Sequence, residues 1–95
     1  MRLELAPRVE DDLSDIGDYI ALHSPTRAAT FVDELIAQIE RIGEYPFSYR
    51  LRPDIGTEAR AAIHKNYLIL FRIIGGVVRV ERVVHGRRDL PQLFP

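Results

Sequence analysis

The chain has 95 residues, of which 46% are hydrophobic and 28% charged, and it contains no cysteine. This length indicates one domain with a single modest core, and the lack of cysteine excludes disulfides, thiol catalysis and thiolate zinc sites. Residues 1–48 hold ten acids against four bases, whereas residues 49–95 hold four acids against nine bases, an asymmetry that indicates an acidic or nucleic-acid partner. No apolar run approaches the ~20 residues of a membrane span and no signal peptide is visible, so we expect a soluble, cytoplasmic protein.

The first quarter of the chain predicts a short strand followed by a helix. Residues 2–5 alternate polar and apolar side chains, and Pro7 suits the first turn of a helix, where its missing N–H costs nothing. Four acids crowd the amino end of this helix, where the helix dipole favours negative charge, so a solvated face is a better interpretation than catalytic carboxylates. These acids are Glu10, Asp11, Asp12 and Asp15, and the apolar stripe between them is Val9, Leu13, Ile16 and Ile20.

A second helix is predicted to begin at Ser24, an N-cap residue that is followed by Pro25. Gly43 offers a C-terminal stop for it. Only a few residues separate the two helices, so they should form an antiparallel hairpin. The predicted buried stripe of the second helix is Ala28, Phe31, Val32, Leu35, Ile39 and Ile42.

The remainder of the chain predicts three antiparallel strands. A weak strand at residues 60–64 and a strong one at 67–74 are joined by a turn at Lys65-Asn66, and Gly75-Gly76 fits a two-residue loop into a last strand at 77–85. In that register Ile74 opposes Val77, which fixes both faces of the hairpin. The more apolar face should lie against the helices with its one arginine snorkelling or paired, and it comprises Tyr67, Ile69, Phe71, Ile73, Val78, Val80, Arg82 and Val84.

The other face of this hairpin mixes charged and apolar residues, and it comprises Leu68, Leu70, Arg72, Ile74, Val77, Arg79, Glu81, Val83 and His85. Arg72 and Arg79 oppose each other there, an unfavourable like-charge pair that Glu81 relieves or that a one-residue bulge removes. In both cases the face keeps exposed apolar surface beside positive charge, which is typical of a partner-binding surface.

The last strand ends in a cluster of cations around Gly86. Arg87 and Arg88 each offer five donors to a carboxylate or phosphate, and His85 titrates near neutral pH. Such a cluster at the end of a strand suits anion recognition. The competing interpretation is a solvated strand end in which His85 bonds the C-terminal segment and Arg88 pairs with a nearby acid.

Five segments follow one another along the chain: RLELAPRVEDDLSDIGDYIA, SPTRAATFVDELIAQIERI, YPFSYRLRP, NYLILFRI and VERVVHGRRDL. Their order, spacing and final His-Gly-Arg-Arg-Asp resemble the RelE/ParE superfamily of small toxins from bacterial toxin–antitoxin pairs. The resemblance implies an α+β fold over residues 1–95, in which a short N-terminal strand and an antiparallel helix hairpin pack on a small, mainly antiparallel β-sheet.

The superfamily has a ribosome-dependent mRNA endoribonuclease branch, RelE-like, and a branch that poisons DNA gyrase, ParE-like. In the nuclease branch a catalytic Arg commonly follows the aromatic residue that opens the NYLILFRI-type strand, and here that position is Leu68. The C-terminal catalytic Tyr of that branch falls near Leu93 or Phe94, which have no hydroxyl. The ParE-like branch is therefore favoured, and an enzymatic activity is not expected. If the chain is a nuclease, it is metal-independent, with His85 as base and the two terminal arginines as phosphate clamps.

The resemblance also implies the partners. A cognate antitoxin should bind the chain directly in a hetero-oligomer, with DNA gyrase as the target, or the ribosome and mRNA in the nuclease alternative. The predicted contacts to antitoxin or target are Arg72, Arg79, His85, Arg87 and Arg88. No membrane, metal or cofactor is indicated. A third hypothesis keeps the fold but makes the chain a degenerate, non-toxic binding module.

Overall fold

The sheet is four-stranded, and a computed structural model describes all 95 residues of the chain. The strands are β1 (Arg2–Leu5), β2 (Arg60–His64), β3 (Tyr67–Ile74) and β4 (Val77–His85), and the helices are α1 (Pro7–Ala21), α2 (Pro25–Glu44) and a short α3 (Leu90–Leu93). Strand order is β1-β4-β3-β2, with β1 parallel to β4 and the other neighbours antiparallel. The predicted α+β fold, with its N-terminal strand, helix hairpin and mainly antiparallel sheet, is confirmed.

The helix hairpin forms largely as its sequence predicts. The Ser24 hydroxyl caps α2 by accepting the backbone N–H of Arg27 at 3.2 Å, and Pro25 occupies the first turn. Gly43 does not end the helix, because α2 continues to Glu44; a Cβ built on Gly43 would lie 3.5 Å from the Leu3 Cβ. That distance is an ordinary van der Waals contact, so the packing of α2 on β1 does not itself require glycine here. None of the helices is long and apolar enough to cross a bilayer.

Apolar residues form one core on each face of the sheet. The helix-facing core lies between the sheet and the hairpin and contains Ala6, Val9, Ile16, Phe31, Leu35, Ile39, Ile42, Ala62, Ile69, Phe71, Val78, Val80 and Val83. The back-face core lies on the opposite side and contains Ile55, Ala59, Leu68, Leu70, Val84 and Phe94. The expectation that this second face keeps exposed apolar surface is wrong for Leu68 and Leu70, because the C-terminal segment folds back over them, whereas Ile74 is 54% exposed.

The C-terminal segment is held by a close contact between Phe94 and the loop before β2. Phe94 is buried in the back-face core, and a Cβ on Gly56 would lie 2.6 Å from its Cδ2 atom. Real Cβ atoms do not approach so closely, so only glycine at position 56 leaves room for the ring. Residues 90–95, which show no periodic pattern, thus complete the second core.

A β-bulge in β4 divides the hairpin into two registers. Phe71 pairs with Val80 but Leu70 pairs with Arg82, so Glu81 has no partner on β3 and all later pairs shift by one residue. The predicted pairing of Ile74 with Val77 is correct before the bulge. Beyond it the straight register is wrong.

Two valines exchange faces because of the bulge. Val83 joins the helix-facing core and Val84 the back-face core, the reverse of the straight-register prediction. The shift also sets His85 opposite Tyr67, where the straight register places Val84. The bulge does not separate Arg72 from Arg79, which remain directly paired.

Candidate functional site

The opposed arginines of the back face share one buried carboxylate. Glu81 Oε2 lies 3.1 Å from Arg72 Nε, and Glu81 Oε1 lies 3.2 Å from Arg79 Nε. Only 6% of the Glu81 side chain is exposed. Arg79 also binds Glu4 of β1, and this hydrogen bond, together with the nearby Glu81 charge, raises the pKa of Arg79. The bulge supplies this carboxylate, so the predicted relief by Glu81 is correct.

Arg72 is further engaged by the C-terminal segment. Its guanidinium carbon lies 4.2 Å from the centroid of the Phe94 ring, a cation–π distance, and its Nη2 donates to the carbonyl oxygen of Pro95. Arg72 and Arg79 are therefore occupied within the chain. To contact acidic residues of a partner, as predicted, the two arginines would have to give up their contacts with Glu81 and the C-terminal segment.

A buried ion pair joins α1 to β4, so Arg82 is paired, one of the two predicted alternatives, although its partner Asp12 was not predicted. Arg82 donates from Nε and Nη2 to the two carboxylate oxygens of Asp12 at 2.8 and 2.9 Å, and the Val83 backbone N–H donates to Asp12 at 2.9 Å. Asp12 is thus not part of the solvated acidic face; its hydrogen bond raises the pKa of Arg82. The signal was present in the sequence, because Asp12 lies at helical spacing from Val9 and Ile16 on the buried stripe.

The three cations at the end of β4 have a different environment. The His85 ring packs edge-on against Tyr67 with centroids 5.3 Å apart, and its Nδ1 accepts the backbone N–H of Arg87 at 3.1 Å. In the neutral imidazole the proton must then lie on Nε2, so neither ring nitrogen has a free lone pair. This arrangement does not suit a general base. The side chains of Arg87 and Arg88 are exposed and form no salt bridge.

The structure does not bring the five predicted contact residues into one site. Arg79 and His85 are six residues apart on β4, which is about 20 Å along an extended strand. Arg72 and Arg79 lie on the back face, in contact with Glu81. His85, Arg87 and Arg88 lie where β4 ends, close to the turn that joins β2 to β3.

A cleft of about 650 Å³ separates the end of β4 from α1, and its walls carry both signs of charge. Asp11 and Asp15 line it together with His85 and Arg88. Tyr67 also lines it, and burial raises the pKa of this phenol, with a smaller effect from nearby Tyr19. Arg8 and Arg88 offset Asp11 and Asp15, so the cleft offers a phosphodiester no net positive charge.

A smaller depression of about 250 Å³, which we call the notch, lies beyond His85, on the side of the β2–β3 turn. Lys65, Asn66, His85, Gly86 and Arg87 line its rim, and no carboxylate does. The Gly86 backbone N–H donates to the Asn66 carbonyl at 2.8 Å and so fastens the two turns together. From the sequence, Lys65 is predicted only as a turn residue. No local pattern links it to Arg87, since the sheet register brings them together.

Of the three positions compared with catalytic groups of the nuclease branch, Leu68 and Phe94 are buried and Leu93 is partly buried. Leu68 and Phe94 are each 8% exposed and both belong to the back-face core. Neither position can present a proton donor or a cation to a substrate. No three His, Asp or Glu side chains lie close enough to hold a metal ion.

Two kinds of comparison with known proteins give matches. A family model described as ParE toxin of type II toxin–antitoxin system, parDE, matches residues 3–90. A solved structure, described as the chromosomal ParDE TA system from P. aeruginosa, superposes with a TM-score of 0.79 at 22% sequence identity, covering 90% of this chain and 95% of that chain. At that identity the superposition establishes the fold alone. No curated protein sequence matches the chain at a significant level.

Proposed function

The chain belongs to the ParE family of type II toxins, and on that premise we propose that it arrests growth by poisoning DNA gyrase in the cytoplasm. In this proposal the toxin stalls gyrase on cleaved DNA and performs no hydrolysis itself. A cognate antitoxin neutralises it by direct binding in a hetero-oligomer.

One observation carries the choice of gyrase over mRNA cleavage. The position at which the nuclease branch places a catalytic arginine holds Leu68, whose side chain is buried in the back-face core. At an exposed position, a neighbouring side chain could supply the missing catalytic group. Leu68 is instead packed among Leu70, Val84 and Phe94, so no neighbouring side chain can act from that position. The blocked ring nitrogens of His85 support the same choice, because metal-free RNA cleavage needs a group that accepts the 2′-hydroxyl proton.

The end of β4 is the proposed contact surface for acidic partners. Arg87 and Arg88 are exposed and free of salt bridges, so a partner's carboxylates gain these contacts without displacing others. Contacts to Arg72 and Arg79 remain part of the proposal. For these contacts the antitoxin must compete with Glu81 and the C-terminal segment, so they should add less binding free energy than contacts to Arg87 and Arg88.

A supercoiling assay with purified gyrase tests the proposal. We expect the chain to cause accumulation of cleaved DNA, and we expect the antitoxin encoded beside it to reverse this effect. Growth arrest in cells without any effect on gyrase at excess toxin would contradict the gyrase target and favour ribosome-dependent mRNA cleavage. Normal growth on expression without antitoxin, from a folded chain, would favour the non-toxic binding module.

A further inference from the structure

The notch combines cations from two separate parts of the chain. Lys65 comes from the β2–β3 turn, whereas Arg87 follows β4, and His85 stands between them. Because Nδ1 of His85 already accepts the Arg87 N–H, the ring offers Nε2–H as its donor. Donors of three kinds therefore border one depression of about 250 Å³.

The backbone at Lys65 adopts a conformation that is uncommon for lysine. Lys65 has φ 56°, in the left-handed region that favours glycine, and Glu58 at φ 61° is the other non-glycine residue of the chain in that region. The chain uses Gly75 and Gly76 for the same conformation at its other hairpin turn. A lysine retained in strained backbone at a candidate site is the kind of outlier that marks ligand contacts.

The charges of the notch are uncompensated. Neither Lys65 nor Arg87 lies within salt-bridge distance of a carboxylate, although five other arginines of the chain do. The acids of α1 line the cleft on the other side of His85 and do not reach the notch. An anion entering the notch meets positive charge alone, whereas one entering the cleft meets Asp11 and Asp15 as well as Arg8 and Arg88.

We propose that the notch formed by Lys65, His85 and Arg87 binds a single phosphoryl group. A tetrahedral phosphate presents three oxygens in different directions, which matches donors arranged around a rim, whereas the two coplanar oxygens of a carboxylate are satisfied by one arginine fork. The notch accommodates one phosphate, and the neighbouring cleft, which carries acids as well as arginines, offers no second site for the next phosphate of the same strand. Resting on the proposed function, the phosphate is one of the DNA backbone held by gyrase.

The first experiment titrates the purified chain with inorganic phosphate and follows its backbone amides by NMR at constant ionic strength. We expect saturable shifts at Asn66, Gly86 and Arg87 in the millimolar range. Lys65→Gly and Arg87→Gln should each weaken binding about tenfold, the loss of one charge-assisted hydrogen bond. Arg41→Gln, which removes an exposed arginine that bonds only Gln38, should bind like the parent chain.

Lys65→Gly separates binding from folding, because glycine relieves the left-handed backbone. Its melting temperature should not fall, while its phosphate affinity does. Acetate is the control anion, and we expect no saturable shifts with it. Absent shifts, shifts of equal size with acetate, or unchanged affinity in both notch variants would each overturn the proposal.

The second experiment distinguishes backbone phosphate from free phosphate. With gyrase bound to DNA, the toxin concentration that gives half-maximal cleaved DNA is measured at several salt concentrations for the parent chain, Arg87→Gln and Arg41→Gln. Loss of one phosphate contact lowers the slope of log affinity against log salt by about 0.9, and we expect this for Arg87→Gln alone. Equal slopes alongside positive titrations would overturn the DNA assignment and leave a site for free phosphate. If the parent chain does not poison gyrase, the proposed function fails, while the titration still decides the notch.

Discussion

Replacing Asp12 with alanine should remove about a fifth or more of the folding free energy, because it leaves the Arg82 guanidinium buried without its counterion. The two side chains are 8% and 9% exposed, and the carboxylate accepts three hydrogen bonds of 2.8–2.9 Å. Breaking a buried pair of this kind costs about 3–5 kcal/mol. A domain of this length has a folding free energy of about 5–14 kcal/mol.

The assay is urea unfolding and thermal unfolding, each followed by circular dichroism. For a domain of this size each kcal/mol corresponds to about 4–8 °C in melting temperature, so Asp12→Ala should lower the melting temperature by about 12 °C or more. Asp15→Ala is the matched control, since Asp15 is exposed on the same helix and its replacement should stay within about 0.5 kcal/mol of the parent.

A double variant tests whether the loss of stability comes from the unpaired charge that a single substitution leaves behind. Asp12→Leu combined with Arg82→Met replaces two buried charges by apolar groups, and such replacements are often near neutral. We therefore expect the double variant to be more stable than either single one, with a coupling of about 2 kcal/mol or more. If Asp12→Ala proves no worse than Asp15→Ala, the pair contributes little and the argument from burial is refuted.

Two further predictions concern the C-terminal segment and the pairing of α2 with β2. Phe94→Ala should lower the free energy of unfolding in urea by about 2–3 kcal/mol, less than for a fully enclosed phenylalanine because the C-terminal segment can collapse onto the sheet. Gly56→Ala should be destabilising in the parent chain but nearly neutral in the Phe94→Ala background. Additive losses of stability would contradict the contact between the two residues. Glu34 binds both Arg27 and His64, which lowers its pKa from 4.5 to about 2. Since the folded pKa is depressed, this stabilisation is present above pH 4.5 and is lost as the pH falls towards 2. Melting temperatures of the parent and Glu34→Gln should therefore converge across that interval, and a constant difference would exclude the pair as the cause.

The regular elements could be predicted because each rests on a local signal. Ser24-Pro25 fixes the start of α2, and Gly75-Gly76 fixes the β3–β4 turn with φ values of 53° and 78°. No local sequence signal of this kind predicts the bulge in β4. Val83 and Val84 are both apolar, so alternation reads equally well in either register and does not reveal that Glu81 lacks a partner.

The candidate site shows the same division between local and long-range information. His85, Arg87 and Arg88 are adjacent in sequence, so their cluster could be recognised without a structure. The place of Lys65 beside them depends on the bulge, which sets His85 opposite Tyr67 and thus next to the β2–β3 turn. A one-residue shift in strand pairing depends on the whole sheet, so it cannot be predicted from the residue types of one strand.

The pairing within the fold also changes what the charge asymmetry means. Asp12 with Arg82 and Glu4 with Arg79 each join an acid of the first half to an arginine of the second, so part of the asymmetry is neutralised inside the molecule. The cations that remain without salt bridges at the end of β4 then carry most of the electrostatic argument for a partner there. Charge reversal at Arg87 should accordingly change partner binding without unfolding the chain, whereas charge reversal at Arg79 should do both. Only the first of these substitutions reports cleanly on recognition.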